Sequence, residues 1–169
     1  EPEHRHRNAH EFASALARVR AQIPTHAGPL DGQERFALLR RLKFFHEFAT
    51  SEIREVMRAG SWHDYTAGDE IVREGAIDDR FYVIVSGMVA VERGGRQLGR
   101  LEVGDCFGET SYVRGARRQA TIRAESDATI VQVSSTLLEQ ASPACQLRFN
   151  KVFLKELIRR LQRGSKKRN

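Results

Sequence analysis

Short apolar runs separated by glycines fill the middle of the sequence, and this pattern constrains the fold more than any other feature. The runs, such as Arg80–Val85 and Met88–Glu92, are rich in the β-branched and aromatic residues that favour strands. Glycines punctuate them at positions 68, 75, 87, 94, 95, 99 and 104. Many short strands with a tight turn at most corners are typical of an antiparallel roll or barrel. We therefore predict an eight-stranded, antiparallel, jelly-roll-like β-roll over about residues 61–134.

Helical periodicity precedes and follows this region, so the predicted fold class is α+β, mainly β. Residues 1–31 are expected to form a helical extension and a linker, because prolines and glycines follow an apolar periodic stretch. Residues 32–163 form the predicted domain, which begins with helices and ends with a long helix over about 143–163. That helix carries a wide apolar face, which suits a lid that packs on the roll and on a partner. Residues 164–169 are expected to be a basic tail.

Composition describes a soluble globular chain, with 40% hydrophobic and 30% charged residues among 169. No apolar run is long enough to span a bilayer, so we expect no membrane partner. Cys106 and Cys145 are interpreted as small core residues in a reducing compartment, which favours the cytoplasm.

The net charge is unevenly distributed. From Arg148 onward there are nine Lys or Arg and one acid, a local net charge of +8, so the total of +6 leaves −2 for residues 1–147. The absence of a first Met favours a processed or excised chain.

The stretch from Phe107 to Thr121 has the residues of an anion-binding site. Gly108 allows a tight turn and a close approach of the backbone to a ligand. The residues after it can form one helical turn whose first N–H groups have no partner within the helix, and such groups bind phosphate. Arg118 can return on the next strand with a planar fork for two phosphate oxygens. Glu109 suits a hydroxyl donor such as a ribose 2′-OH. A simpler interpretation is a sheet turn in which Glu109 pairs with Arg118.

This stretch resembles the phosphate-binding cassette of the cyclic nucleotide-binding domain family, whose pattern is F-G-E, a small residue, then R-x-A-T. The resemblance extends over most of residues 44–163 and implies a binding site within the roll. It implies nucleotide contacts at Phe107, Gly108, Glu109, Thr110, Ser111, Arg118, Gln119 and Ala120. It further implies that Val91, Leu98 and Phe107 face into the roll and line the pocket. Gln119 departs from the family, which usually has Ala, Ser or Thr there; Ser or Thr accompanies guanine contact or an extra phosphate bond.

The last helix resembles the C-helix of catabolite activator proteins within the same family. The segment Arg159–Gln162 carries this likeness and nominates Arg160, and less directly Ser165, as groups that approach the nucleotide. A solvated basic face is the alternative for both. A homodimer through this helix is a further expectation.

The resemblance implies a non-catalytic sensor of a cyclic nucleotide, with cAMP as the first choice, that signals to an effector by movement of the last helix. Asn8–Ala13 is similar to the last helix of bacterial Ser/Thr kinases of the eukaryotic type, so a kinase domain could precede the chain. The alternatives are a DNA-binding regulator whose helix-turn-helix lies beyond Asn169, and a degenerate module that no longer binds a ligand. We expect no enzyme activity, no nucleic-acid contact by this chain, no cofactor and no metal; His4, His6 and His10 lack the spacing of a metal site.

Overall fold

The computed structural model describes residues 29–109 and 115–166, with side chains as far as residue 164. The chain divides into two compact units, Glu1–Gly32 and Gln33–Asn169. The first unit lies almost wholly outside the described residues. The predicted N-terminal helix and the three histidines therefore lie outside them, as do Thr110, Ser111 and the Ser165 side chain.

The second unit is a β-roll flanked by helices. The helices are α1 (Gly32–Arg41), α2 (Thr50–Ala59), α3 (Ser135–Leu138) and α4 (Pro143–Lys166), with a 3-10 helix at Lys43–Phe45. The strands are β1 (Gly60–Tyr65), β2 (Glu70–Val72), β3 (Arg80–Ser86), β4 (Met88–Arg93), β5 (Arg96–Glu102), β6 (Cys106–Phe107), β7 (Thr121–Ala124) and β8 (Ala128–Ser134).

The eight strands form two four-stranded sheets, in the orders β1-β8-β3-β6 and β2-β7-β4-β5. All pairings between them are antiparallel. This arrangement confirms the predicted α+β, mainly β fold with an antiparallel roll.

Strand β3 is the centre of the unit because both of its faces are covered. Its residues from Phe81 to Val85 are all buried. Alternating side chains divide between two cores: Phe81, Val83 and Val85 pack with the helices, while Tyr82 and Ile84 pack inside the roll. A continuous apolar run is therefore a strand buried on two sides.

Aromatic side chains join the helices to the outside of the roll. Phe44 lies 5.4 Å from Phe149 and 6.5 Å from Phe153 between ring centroids. Phe81 of β3 lies 5.2 Å and 5.1 Å from the same two rings. Phe149 and Phe153 lie one turn apart on α4, so this cluster fixes the first half of the helix against β3.

The start of α4 is held by a carboxylate from α2. Glu55 Oε2 accepts a hydrogen bond from the Ser142 amide at 2.6 Å, and Glu55 Oε1 accepts one from the Ser142 hydroxyl at 2.8 Å. The Ser142 oxygen in turn accepts from the Cys145 amide at 3.2 Å, which makes Ser142 the N-cap. The bonds from the Ser142 amide and hydroxyl lower the pKa of Glu55 below its ordinary value.

Helix α4 extends three residues beyond the predicted end, through Gly164 to Lys166. The expected basic tail at 164–169 is thus helical in its first three residues. Glycine lowers helix stability by only about 1 kcal/mol relative to alanine, and a lysine in the last turn favours the helix dipole.

Both cysteines are free thiols with fully buried side chains, which confirms their interpretation as core residues. Burial raises the pKa of Cys106 to about 12 and that of Cys145 to about 11. Among the described residues, no helix has the length and apolar character needed to cross a membrane.

Candidate functional site

A cleft opens on the roll where the predicted cassette meets β4, β5, β7 and α4. It encloses about 460 Å³ of space, counting the solvent at its mouth. The lining residues are Val72, Val91, Leu101, Phe107, Gly108, Glu109, Arg118, Gln119, Ala120, Ile122 and Arg160.

Gly108 makes the turn at the floor of the cleft, and no other residue fits there. Its φ is +107°, a conformation that L side chains rarely adopt. A Cβ atom at this position would lie 2.5 Å from the Arg80 carbonyl oxygen and 3.1 Å from the Phe81 Cα. The missing side chain lets the cassette backbone pack against β3 and leaves the turn accessible from the cleft.

Arg118 lies beside this turn, with a side chain only 4% exposed. Its Nη2 donates to the Arg80 carbonyl oxygen at 2.7 Å and lies 3.1 Å from Oδ2 of Asp78. Its guanidinium also lies over the Tyr82 ring, 5.6 Å from the centroid. A buried cation held by a carboxylate, a carbonyl and an aromatic face has a fixed orientation.

Glu109 lines the cleft as an exposed residue. Its Oε2 accepts a hydrogen bond from the Gly108 amide at 3.3 Å, so the carboxylate folds back onto the backbone of the Gly108 turn. The simpler interpretation of the sequence paired this carboxylate with Arg118, and the acid found 3.1 Å from the guanidinium is Asp78 instead. Glu109 at the mouth can accept hydrogen bonds from a ligand that enters.

Apolar side chains form the wall, with one correction to the predicted set. Phe107 and Val91 line the cleft as expected. Leu98 does not, since its side chain is 62% exposed. The pairs Val89↔Leu101 and Val91↔Gly99 set the face of β5, so Leu101 points inward and Leu98 outward. The two leucines are three positions apart, so only one of them can face inward, and the pairing with β4 determines which.

The remaining predicted residues lie in the segment just before β7 and on α4. Exposed Gln119 and half-buried Ala120 line the cleft beside Arg118. Arg160 also lines it, and its Nη2 donates to the Cys106 carbonyl oxygen. The arginine nominated from the last helix is therefore at the cleft, rather than on a wholly solvated face.

Two further residues of the site, Asp78 and Tyr82, were missed by sequence reasoning. The Tyr82 hydroxyl donates to Asp78, and burial, the bond to Asp78 and its charge raise the pKa of that hydroxyl. Asp78 lies two residues before β3, so an acid just ahead of a strand was the available signal. Among the described residues, no three His, Cys, Asp or Glu side chains lie close enough together to hold a metal ion.

Comparisons with known proteins agree with this geometry. The family model of the cyclic nucleotide-binding domain matches residues 62–142. The chain is 31% identical over 97 residues to a cGMP-dependent protein kinase of Eimeria tenella, which covers 57% of this chain and 10% of that protein. It is 36% identical over 87 residues to a cAMP-dependent protein kinase regulatory subunit of Debaryomyces hansenii, with coverages of 51% and 19%. The chain thus spans about a tenth to a fifth of the length of these relatives.

Among solved structures, a cyclic nucleotide-binding domain from Methylobacillus flagellatus has the same fold, with a TM-score of 0.69. The alignment covers 78% of this chain and 79% of that chain at 20% identity, a level that establishes the fold alone.

Proposed function

Residues 62–142 belong to the cyclic nucleotide-binding domain family, and from this premise we propose that the chain is a regulatory module that binds a cyclic nucleotide. The observation that carries the proposal is Arg118, whose buried guanidinium side chain lines the cleft together with the Gly108 turn. A cyclic phosphate carries one negative charge, which is costly to bury unless a cation pairs with it. Arg118 and the backbone amides that begin at Gly108 would hold that phosphate, and Glu109 would accept from the ribose hydroxyl.

We place cAMP first among the nucleotides. Gln119 stands where the resemblance associates Ser or Thr with guanine contact, and its side chain is exposed at the cleft. The relatives are named for both nucleotides, so cGMP is the second choice.

Signalling would use α4 as a lid. Arg160 lines the cleft from this helix, so a bound nucleotide contacts the roll and the lid together. A ligand shifts the equilibrium toward the state in which it makes more contacts, which here is the state with α4 closed over the cleft.

The output would be an effector, such as a kinase, in the same protein or in a partner. A second copy could pair through α4, and the chain itself would act without catalysis. Two free cysteines favour the cytoplasm.

A degenerate interaction module is the second candidate, and one observation favours it. Arg118 contacts Asp78 and the Arg80 carbonyl, so it can serve as a structural ion pair without any phosphate. Calorimetry of the chain against cAMP, cGMP and cyclic dinucleotides separates the two. Saturable heat with one of these ligands, absent with AMP, supports the sensor. No heat with any of them, from a folded sample, supports the degenerate module.

A further inference from the structure

Tyr82 packs inside the roll against the residues that line the cleft. Its side chain is 1% exposed and stacks on Phe107, with ring centroids 4.7 Å apart and planes 4° apart. Phe107 immediately precedes Gly108, so the tyrosine ring supports the strand that leads into the turn. The Arg118 guanidinium lies over the same ring, with its Cζ atom 5.6 Å from the ring centroid. One side chain therefore contacts both halves of the proposed phosphate site.

The hydroxyl of Tyr82 adds a polar link to this contact. It donates to Oδ2 of Asp78, and this same oxygen lies 3.1 Å from Nη2 of Arg118. The other carboxylate oxygen, Oδ1, accepts from the Arg80 amide at 3.2 Å. Asp78 is thus held at both oxygens, and the tyrosine hydroxyl fixes the oxygen that meets the arginine. Burial raises the pKa of Tyr82, so the hydroxyl remains a donor at neutral pH.

We propose that Tyr82, acting through Asp78, is a positioning residue that fixes the Arg118 guanidinium for an anionic phosphate. The proposal rests on the proposed function for the identity of that anion. A long, flexible arginine loses side-chain entropy when it binds, and a partner that orients it beforehand reduces that loss. The ring holds the guanidinium plane and the hydroxyl holds the carboxylate beside it. The affinity of the site then depends on a hydroxyl that touches no ligand.

Tyr82→Phe tests the proposal with little change in shape, because it keeps the stacking ring and removes only the hydroxyl. Tyr65→Phe is the matched control: the Tyr65 hydroxyl accepts from Gln132 Nε2 at 2.6 Å, and Tyr65 does not line the cleft. Partners that orient a binding group typically contribute 10- to 100-fold to affinity at metal sites. We expect Tyr82→Phe to weaken cAMP binding about tenfold by calorimetry, and Tyr65→Phe to change it less than about twofold.

A double-mutant cycle separates positioning from general loosening of the core. In an Arg118→Lys background the planar fork is gone, and there is no guanidinium left for Tyr82 to orient. The Tyr82→Phe effect on the cAMP dissociation constant should then fall below about twofold. An unchanged tenfold effect in that background, or equal losses from Tyr82→Phe and Tyr65→Phe, overturns the proposal.

The second readout needs no nucleotide. In ligand-free protein, bonds to Asp78 and to the Arg80 carbonyl should slow rotation of the Arg118 guanidinium and keep its Nη proton signals separate in NMR spectra. We expect Tyr82→Phe to merge these signals and Tyr65→Phe to leave them separate. Unchanged signals in Tyr82→Phe overturn the proposal, whatever the affinities. If the wild-type chain binds no cyclic nucleotide while the signals still merge, Tyr82 orients Arg118 but the phosphate assignment is overturned together with the proposed function.

Discussion

Nη2 of Arg118 lies 3.1 Å from Oδ2 of Asp78, although the two residues precede different strands of different sheets. The guanidinium is therefore already ion-paired with a carboxylate when no phosphate is bound. A planar guanidinium has donors along more than one edge, so a phosphate can share it with Asp78 rather than displace the carboxylate.

Arg118→Ala should weaken cAMP binding by roughly 2–5 kcal/mol, the range for removing one partner of a buried, hydrogen-bonded charge pair. That corresponds to about 30- to several-thousand-fold in Kd, measured by calorimetry. Arg118→Lys should fall between wild type and alanine, because an ammonium keeps the charge and loses the fork.

Arg117→Ala is the matched control on the neighbouring residue. The Arg117 side chain is exposed and donates to the Gly75 carbonyl oxygen at 2.9 Å, so its loss should change Kd only slightly. An effect as large as that of Arg118→Ala would mean that the phosphate contacts Arg117. No effect from either change, with cAMP still bound, would place the phosphate elsewhere.

The two leucines of β5 give a prediction about stability. Leu101 is 8% exposed within the roll and Leu98 is 62% exposed. Leu101→Ala should lower the free energy of unfolding by about 2–5 kcal/mol, as large-to-small changes in cores do. Leu98→Ala should change it by less than about 0.5 kcal/mol. Urea denaturation followed by circular dichroism measures both, and a comparable loss from Leu98→Ala would show that its side chain is buried in solution.

Local signals in the sequence were sufficient for the strands and for the turn at Gly108. Each strand lies between glycine-rich or polar turns, and Gly108 adopts the positive φ that its turn requires. Leu98 and Leu101 are three positions apart, so alternation places them on opposite faces of β5, but only the long-range pairing with β4 determines that Leu101 is the one that faces inward. The Tyr82–Asp78–Arg118 cluster was equally hidden, since Arg118 meets Asp78 only after two sheets have formed. Long-range pairing decides such contacts.

Glu55 gives a prediction about pH. Its pKa is lowered by its bonds to Ser142, so the folded state favours the ionised carboxylate. A lowered folded-state pKa contributes stability above the ordinary value of 4.5, and this contribution is lost as the pH falls through the lower, folded-state pKa. Glu55→Gln should therefore be less stable than wild type at neutral pH, and the difference should shrink below about pH 4.5. Thermal melts across this range would contradict the prediction if the difference were constant.

Helix α4 should respond to nucleotide along only part of its length. Cys145, Phe149 and Phe153 are fully or almost fully buried against α2, β3 and the 3-10 helix, so the amides of this half are expected to be protected without ligand. Beyond Phe153, the exposed Leu154, Ile158 and Leu161 leave the helix more open, and Arg160 is its described contact with the cleft. Within residues 145–162, cAMP should therefore slow hydrogen exchange mainly after Phe153. Arg160→Ala should reduce that slowing. If binding is demonstrated by calorimetry while exchange after Phe153 is unchanged, α4 is not the lid, although the cassette could still hold the phosphate.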